Sequence, residues 1–402
     1  MTERVDGVTA TRWRRRLSSR DMTEAHRSAT PLELLFDLCF VVAVAQAAAH
    51  LHHAVSAGHV AGGVLGYLTV FFAIWWAWVN FTWFASAYDN DDVPYRLATM
   101  VEIAGTLVIA AGVPRAFDSR DFGIIVLGYA IMRIALVAQW LRAAFANPAG
   151  RATAIRFVIG LTVCMLGWTV LFIEGSWPLW GWGILVVAEV CVPVWAERAG
   201  RTAWHRYHIA ERYGLFTIIV LGESVLAATI AVQTALDENR ASAALYEVVL
   251  GGLLIVFAMW WLYFAKPAAR FLDTNRAAFV WSYGHYLIFA AAAAVGAGLS
   301  VVIDQQTDHG ELGRTGAGAA VTVPVAVYLL TLWFLHVRPH GVRAARTVLY
   351  PVTAVLVLAT TWTGVPVLLS GLLLTGLAAV TFVIATRDNS SGDRLEDQPA
   401  GR

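Results

Sequence analysis

Glu33 and Asp37 stand four residues apart in Thr30-Pro31-Leu32-Glu33-Leu34-Leu35-Phe36-Asp37, at the head of a long apolar run. That spacing puts both carboxylates on one helix face, about 6 Å apart. Glu223, in Leu221-Gly222-Glu223-Ser224, lies about 18 Å along its helix from Glu211 at a rise of about 1.5 Å per residue, close to mid-bilayer depth. Glu102, Glu189, Arg133, Arg156, His285 and His336 also fall inside apolar stretches. In hydrocarbon a carboxylate is either paired with a cation or carries a proton, and such groups mark ion pathways and proton relays. Acids outnumber permanent cations here: Glu33, Asp37, Glu102, Glu189 and Glu223 face only Arg133 and Arg156 within the spans. The chemistry open to this set is reversible binding of protons or small cations, with Asp37, Glu223, Glu102, His285 and Glu33 lining the pathway. A structural use stands beside it. Glu33 can serve a helix N-terminus with Thr30 as N-cap and Pro31 as first helical residue. Arg133, Glu189, Arg156, Glu211 and Arg212 can form ion pairs between helices, Arg133 reaching Glu102 or Glu189.

Tyr88-Asp89-Asn90-Asp91-Asp92-Val93-Pro94-Tyr95-Arg96 lacks the turn glycine and terminal glutamate of a calcium loop, so Asp91 or Asp92 is expected to cap the following helix. Asp89 and Arg96 recur downstream as Asp273 and Arg276, which suggests a symmetric latch or hinge on the cytoplasmic face. His50, His52, His53 and His59 cluster at the far end of the first apolar run. His50 and His53 share a face, but polar histidines at a helix C-terminus are the simpler expectation, and no metal is expected. No HExxH motif, Gly-rich phosphate loop or convincing paired Asp motif is present, so the expectation is no enzyme and no cofactor. Cys39, Cys164 and Cys191 lie in apolar stretches as packing residues.

The elements that must position these groups follow from composition. Of 402 residues, 58% are hydrophobic and 14% charged, far too few charges to clothe a soluble protein of this size. Apolar stretches of spanning length recur near 32–54, 60–85, 95–113, 122–145, 152–173, 177–196, 211–233, 245–266, 276–302, 317–336, 343–362 and 365–386. The fold class is therefore all-α, a polytopic integral membrane protein with about twelve transmembrane helices. Basic residues concentrate in alternate loops and in both tails, whereas the opposite loops carry only Arg115, Arg120, Arg240 and Arg314. The positive-inside rule then puts both termini in the cytoplasm. Trp75, Trp76, Trp78 and the Trp177 to Trp182 cluster read as interfacial belts. No cleaved signal peptide is read from the Arg-rich residues 1–28, which are expected, like 388–402, to be a disordered cytoplasmic tail.

Phe72-Ala73-Ile74-Trp75-Trp76 in the second span recurs as Phe257-Ala258-Met259-Trp260-Trp261 in the eighth, and Gly150 to Thr162 in the fifth resembles Gly341 to Thr353 in the eleventh. Six spans thus occur twice, as residues 29–200 and 201–387. An even number of spans gives both copies the same direction, the parallel-repeat arrangement of some transporters.

Three segments together resemble the bacterial low temperature requirement protein A family: Arg27-Ser28-Ala29-Thr30-Pro31-Leu32-Glu33-Leu34-Leu35-Phe36-Asp37-Leu38, the Asp89 to Asp92 loop with Arg96, and Glu211-Arg212-Tyr213-Gly214-Leu215-Phe216-Thr217-Ile218-Ile219-Val220-Leu221-Gly222-Glu223-Ser224. The resemblance spans most of the chain and implies a multi-pass membrane protein connected by name with growth in the cold. It brings no settled activity or catalytic residues. The functional expectation is a transporter or channel-like permease in the bacterial cytoplasmic membrane, with the lipid bilayer and a small ion or solute as partners and no nucleic acid. A non-catalytic scaffold or cold-adaptation factor is the alternative, and a lipid-modifying enzyme a weaker one.

Overall fold

The computed structural model describes residues 17, 28–173, 179–237, 242–307, 309–340 and 344–396. Most of the N-terminal tail, residues 397–402, and the expected loop or belt positions Trp177, Arg240 and Arg343 lie outside the described residues. Twelve α-helices and no strand occur among the described residues: α1 (Pro31–Ser56), α2 (Val60–Tyr88), α3 (Val93–Asp118), α4 (Gly123–Ala146), α5 (Arg151–Ile173), α6 (Leu179–Glu197), α7 (Arg206–Asp237), α8 (Ala243–Phe264), α9 (Asn275–Gln306), α10 (Arg314–Leu332), α11 (Ala344–Thr360) and α12 (Pro366–Glu396). Eleven are long and apolar enough to cross a membrane, and α11 contributes a shorter apolar stretch, Thr347–Thr360. α12 runs past the expected boundary at 387 to Glu396.

Local chemistry sets the helix starts. Asp92 accepts from the Tyr95 N–H at the head of α3, Ser242 from Leu245 N–H at α8, and Thr274 from Ala277 N–H at α9. Between α1 and α2 the chain turns at Gly58, whose φ of 74° suits a residue without a Cβ. α10 ends in a π turn, Trp333–Val337, just before Pro339, whose missing N–H prevents a regular helical continuation. Leu127, Ile134, Phe145 and Val163 are exposed, while Glu33, Asp37, Glu189 and Arg212 are buried. A polar interior under an apolar exterior is the arrangement that lipid, not water, stabilises.

The helices form two compact units, residues 1–43 with 73–212 and residues 44–72 with 213–402. The second joins Tyr213–Arg402 to the second part of α1 and the first part of α2, so the two units share α1, α2 and α7. In the first unit α3 packs on α4, α4 on α5 and α5 on α6. In the second, α9 packs on α10, α10 on α11, and α12 on both α11 and α8. α9 is the buried axis of its unit, its Ala290 to Ala294 run and Gly298 letting neighbours approach closely. A Cβ on Gly298 would collide with the Ala320 carbonyl oxygen of α10.

The two aromatic landmarks of the sequence repeat are used differently. Trp75 and Trp76 are 2% and 0% exposed, whereas Trp260 and Trp261 are 44% and 46% exposed. The first pair, with Trp78, is thus interior rather than part of an interfacial belt.

Adding a side chain where α9 meets α10 should be felt. Gly298→Val is expected to cost at least about 1–3 kcal/mol by overpacking. Gly376→Ala, where a Cβ would meet open space, should be stabilising by about 0.5–1 kcal/mol. Thermal unfolding of both variants in detergent checks this, and equal melting of Gly298→Val and wild type would contradict the α9–α10 contact.

Candidate functional site

In the first unit the acids at the head of α1 are built into a closed network. Thr30 Oγ1 accepts from the Glu33 N–H at 3.3 Å, and Glu33 Oε2 accepts from the Thr30 N–H at 2.7 Å. This reciprocal capping box satisfies two helix-end donors. Its sequence condition is local: Thr and Glu three apart, with Pro31 at the first helical position. The same Glu33 carboxylate meets His208 Nε2 at 3.2 Å and Arg212 Nη1 at 3.2 Å, both from α7. One helical turn deeper, Arg212 Nε donates to Asp37 Oδ2 at 2.9 Å, Arg212 Nη2 also binds Asp37 Oδ1, and Trp78 Nε1 donates to Asp37 Oδ1 at 2.6 Å. Glu33, Asp37, His208 and Arg212 are all fully buried. Asp37 is therefore sealed by a two-point arginine pair and an indole, and Phe36 stacks on Phe81 beside it at 3.8 Å. Glu211, expected in an ion pair, instead accepts from the Ala29 N–H at 3.4 Å.

A second buried pair lies in the same unit. Arg133 Nη2 donates to Glu189 Oε2 at 2.7 Å and to Tyr129 Oη at 2.8 Å. Trp76 Nε1 and Trp168 Nε1 donate to the two Glu189 oxygens at 2.9 and 3.2 Å. Of the two acids within sequence expectation of Arg133, Glu189 is the one it binds. Glu102 is 1% exposed, and its Oε1 has no hydrogen-bond partner among the described residues. The Tyr95 hydroxyl, within electrostatic reach of Glu102, has none either. Arg156 corrects an expectation: it holds no carboxylate, donating to the Trp195 carbonyl at 3.1 Å and lying 5.4 Å from that indole's centroid.

The expected latch is also resolved differently. Arg96 makes two 2.7 Å bonds to Asp91, not Asp89. Asp92 both caps α3 and binds Arg142, whose Nη1 lies 3.0 Å from Oδ1. Asp89 is buried and accepts the Asp91 N–H at 2.9 Å, whereas Asp273 and Arg276 are exposed. The two copies of this landmark are not equivalent.

In the second unit His285 is fully buried with both ring nitrogens engaged. Nδ1 donates to the Trp281 carbonyl at 2.7 Å, so Nε2 is the acceptor for the Tyr263 hydroxyl at 3.0 Å. Trp281 Nε1 donates to His336 Nε2 at 3.2 Å, and His336 sits in the π turn that ends α10. His285 thus belongs to an aromatic core with Tyr213 and Phe289, not to the wall of a pathway.

Glu223 is placed otherwise. It lines a cavity of 530 Å³ bounded by α1, α7 and α9, whose wall contains neither Asp37, Glu102 nor His285. Among the described residues no hydrogen bond or ion pair reaches its carboxylate. Elsewhere on the wall Asp304 Oδ2 accepts from His52 Nε2 at 2.6 Å and from Ser56 Oγ at 2.7 Å. Sequence reasoning missed Asp304 and read the histidines as polar groups at a helix C-terminus. The available signal was the acid in Val301-Val302-Ile303-Asp304, at the end of an apolar run as the histidines are. No group of three or more His, Cys, Asp or Glu among the described residues could hold a metal ion.

Comparisons with known proteins agree with this architecture. The family described as Bacterial low temperature requirement A protein (LtrA) matches over residues 28–385. Uncharacterized protein RA0937 of Rhizobium meliloti (strain 1021) is 28% identical over 350 residues, covering 81% of this chain and 80% of that protein. No solved structure matches the chain.

Removing one partner of a buried ion pair leaves the other charge uncompensated, at a cost of about 3–5 kcal/mol. Arg212→Ala is therefore expected to lower the melting point sharply. The double variant Asp37→Leu with Arg212→Met should recover part of the loss, since Glu33 keeps its cap and His208. Unfolding of the three proteins in detergent tests this, and a double variant no better than Arg212→Ala would contradict it.

Proposed function

The chain belongs to the bacterial low temperature requirement A protein family and is a multi-pass membrane protein, and from that premise we propose that it is a permease for a small ion or solute. The observation that carries this reading is Glu223: an acid in the middle of an apolar helix, on the wall of a 530 Å³ cavity, with no partner among the described residues. A carboxylate kept in that setting is costly unless something mobile neutralises it, and intramembrane acids of this kind mark ion and proton pathways. Glu223 is the group that binds and releases the cation or proton. Glu102, with its unbonded Oε1, is the acid of the first unit available to a proton. Asp37 and Glu33, held by Arg212, anchor α1 to α7 and do not take part in binding. The distribution of basic residues supports a cytoplasmic-membrane location with both termini in the cytoplasm. The shared order of sequence landmarks supports an internal repeat, although Trp75 and Trp76 are buried where Trp260 and Trp261 are not.

A scaffold role is the second reading, and one observation favours it: Asp37 and Glu189 are each closed by an arginine and indole donors, as structural glue would be. Flux separates the two. The purified chain in liposomes loaded with a pH-sensitive dye is expected to pass protons or monovalent cations, and Glu223→Gln to lower that flux at least about tenfold. A protein passing neither, or a Glu223→Gln variant as active as wild type, would overturn the permease.

A further inference from the structure

The shape and lining of the Glu223 cavity narrow what it holds. At 530 Å³ it is far larger than a bare cation or single water requires, since a water occupies about 30 Å³ and a cavity of about 150 Å³ accommodates benzene. Much of its wall is alanine, with Ala45, Ala48, Ala227, Ala231 and Ala297 among the lining residues and Leu226, Ile230 and Ile303 beside them. Small apolar side chains make room without offering ligands to an inorganic ion, which needs a shell of oxygens.

The polar groups stand at different levels. Ser224, next to Glu223, packs on α9 at Gly296 and donates to the Ala292 carbonyl at 2.8 Å, which fixes the register of α7 on α9. Asp304 is eight residues beyond Gly296, about 12 Å farther along α9 at the helical rise. Asp304 is already bonded to His52 and Ser56, whereas His52 Nδ1 has no hydrogen-bond partner among the described residues. The slot therefore offers one uncommitted carboxylate at one level, the Asp304–His52 pair about 12 Å away, and a mostly apolar wall that also includes Gln46, Thr234 and Ser300.

Resting on the permease reading, we propose that the cavity takes an amphipathic organic monocation, of the alkylammonium class, with its nitrogen on Glu223 and its apolar body along the alanine wall. The ammonium gains a charge-assisted hydrogen bond to a carboxylate with no competing partner, and the body removes apolar surface from water.

Direct titration of the full chain in nanodiscs tests this with hexylammonium chloride, its uncharged analogue hexanol, and potassium chloride. Wild type is expected to bind hexylammonium, and hexanol at least about tenfold more weakly. Glu223→Gln should lose the hexylammonium site. Ala231→Phe, or Ala227→Leu where the larger side chain prevents folding, should weaken hexylammonium binding at least about tenfold. If hexylammonium fails to bind, or the filled variants bind it as wild type does, while flux still depends on Glu223, the organic cation is wrong and the permease stands. If neither flux nor hexylammonium binding depends on Glu223, both readings fall.

Discussion

Arg212 is the charge on which the head of the first unit depends. It is fully buried and shared between Asp37 and Glu33, with Trp78 and His208 completing the shells of the two acids. In a low-dielectric interior each of these ions alone would cost several kcal/mol, and their mutual attraction offsets that cost only with near-complete hydrogen bonding. The geometry provides most of it: two bonds from the guanidinium to Asp37 and the capping box around Glu33, with Arg212 Nη1 3.2 Å from Glu33 Oε1 in an ion pair that lacks hydrogen-bond geometry. The same logic repeats at Arg133 and Glu189, where two indoles and a phenol replace the water that a soluble ion pair would keep.

Against that background the uncompensated groups stand out. Evolution of a hydrocarbon-embedded protein that pairs Asp37 and Glu189 so thoroughly gives no structural reason to leave Glu223 bare on a cavity wall. The contrast between closed and open acids, rather than the number of acids, separates stability from binding. It also divides labour along one element: Arg212 near the start of α7 ties the helix down, and eleven residues later Glu223 presents an unengaged carboxylate.

The fold was legible in the sequence because the bilayer imposes a length and a composition that no local accident imitates; the twelve helices coincide with the apolar stretches to within about five residues, except that α12 runs on to Glu396. The head of α1 was legible because a capping box is a four-residue relation. The partner of Asp37 was not, because Arg212, though expected in an ion pair, lies 175 residues away and nothing local joins the two. Trp76 and Trp78 misled for a related reason: an indole has both a greasy body and a donor, so interfacial and interior use share one sequence signal. His285 looked like a pathway residue by depth alone, and only its two bonded nitrogens reveal a core histidine. Asp304 escaped notice because its meaning depends on His52, on another helix.

The distinction between sealed and available acids is open to a single chemical measurement. Dicyclohexylcarbodiimide enters apolar membrane regions and modifies carboxyl groups that carry a proton, and peptide mass spectrometry of the treated full chain locates the adducts. Modification is expected at Glu223, with Asp37 and Glu189 protected inside their arginine pairs. Equal modification of all three, or an unmodified Glu223 beside a modified Asp37, would contradict the account.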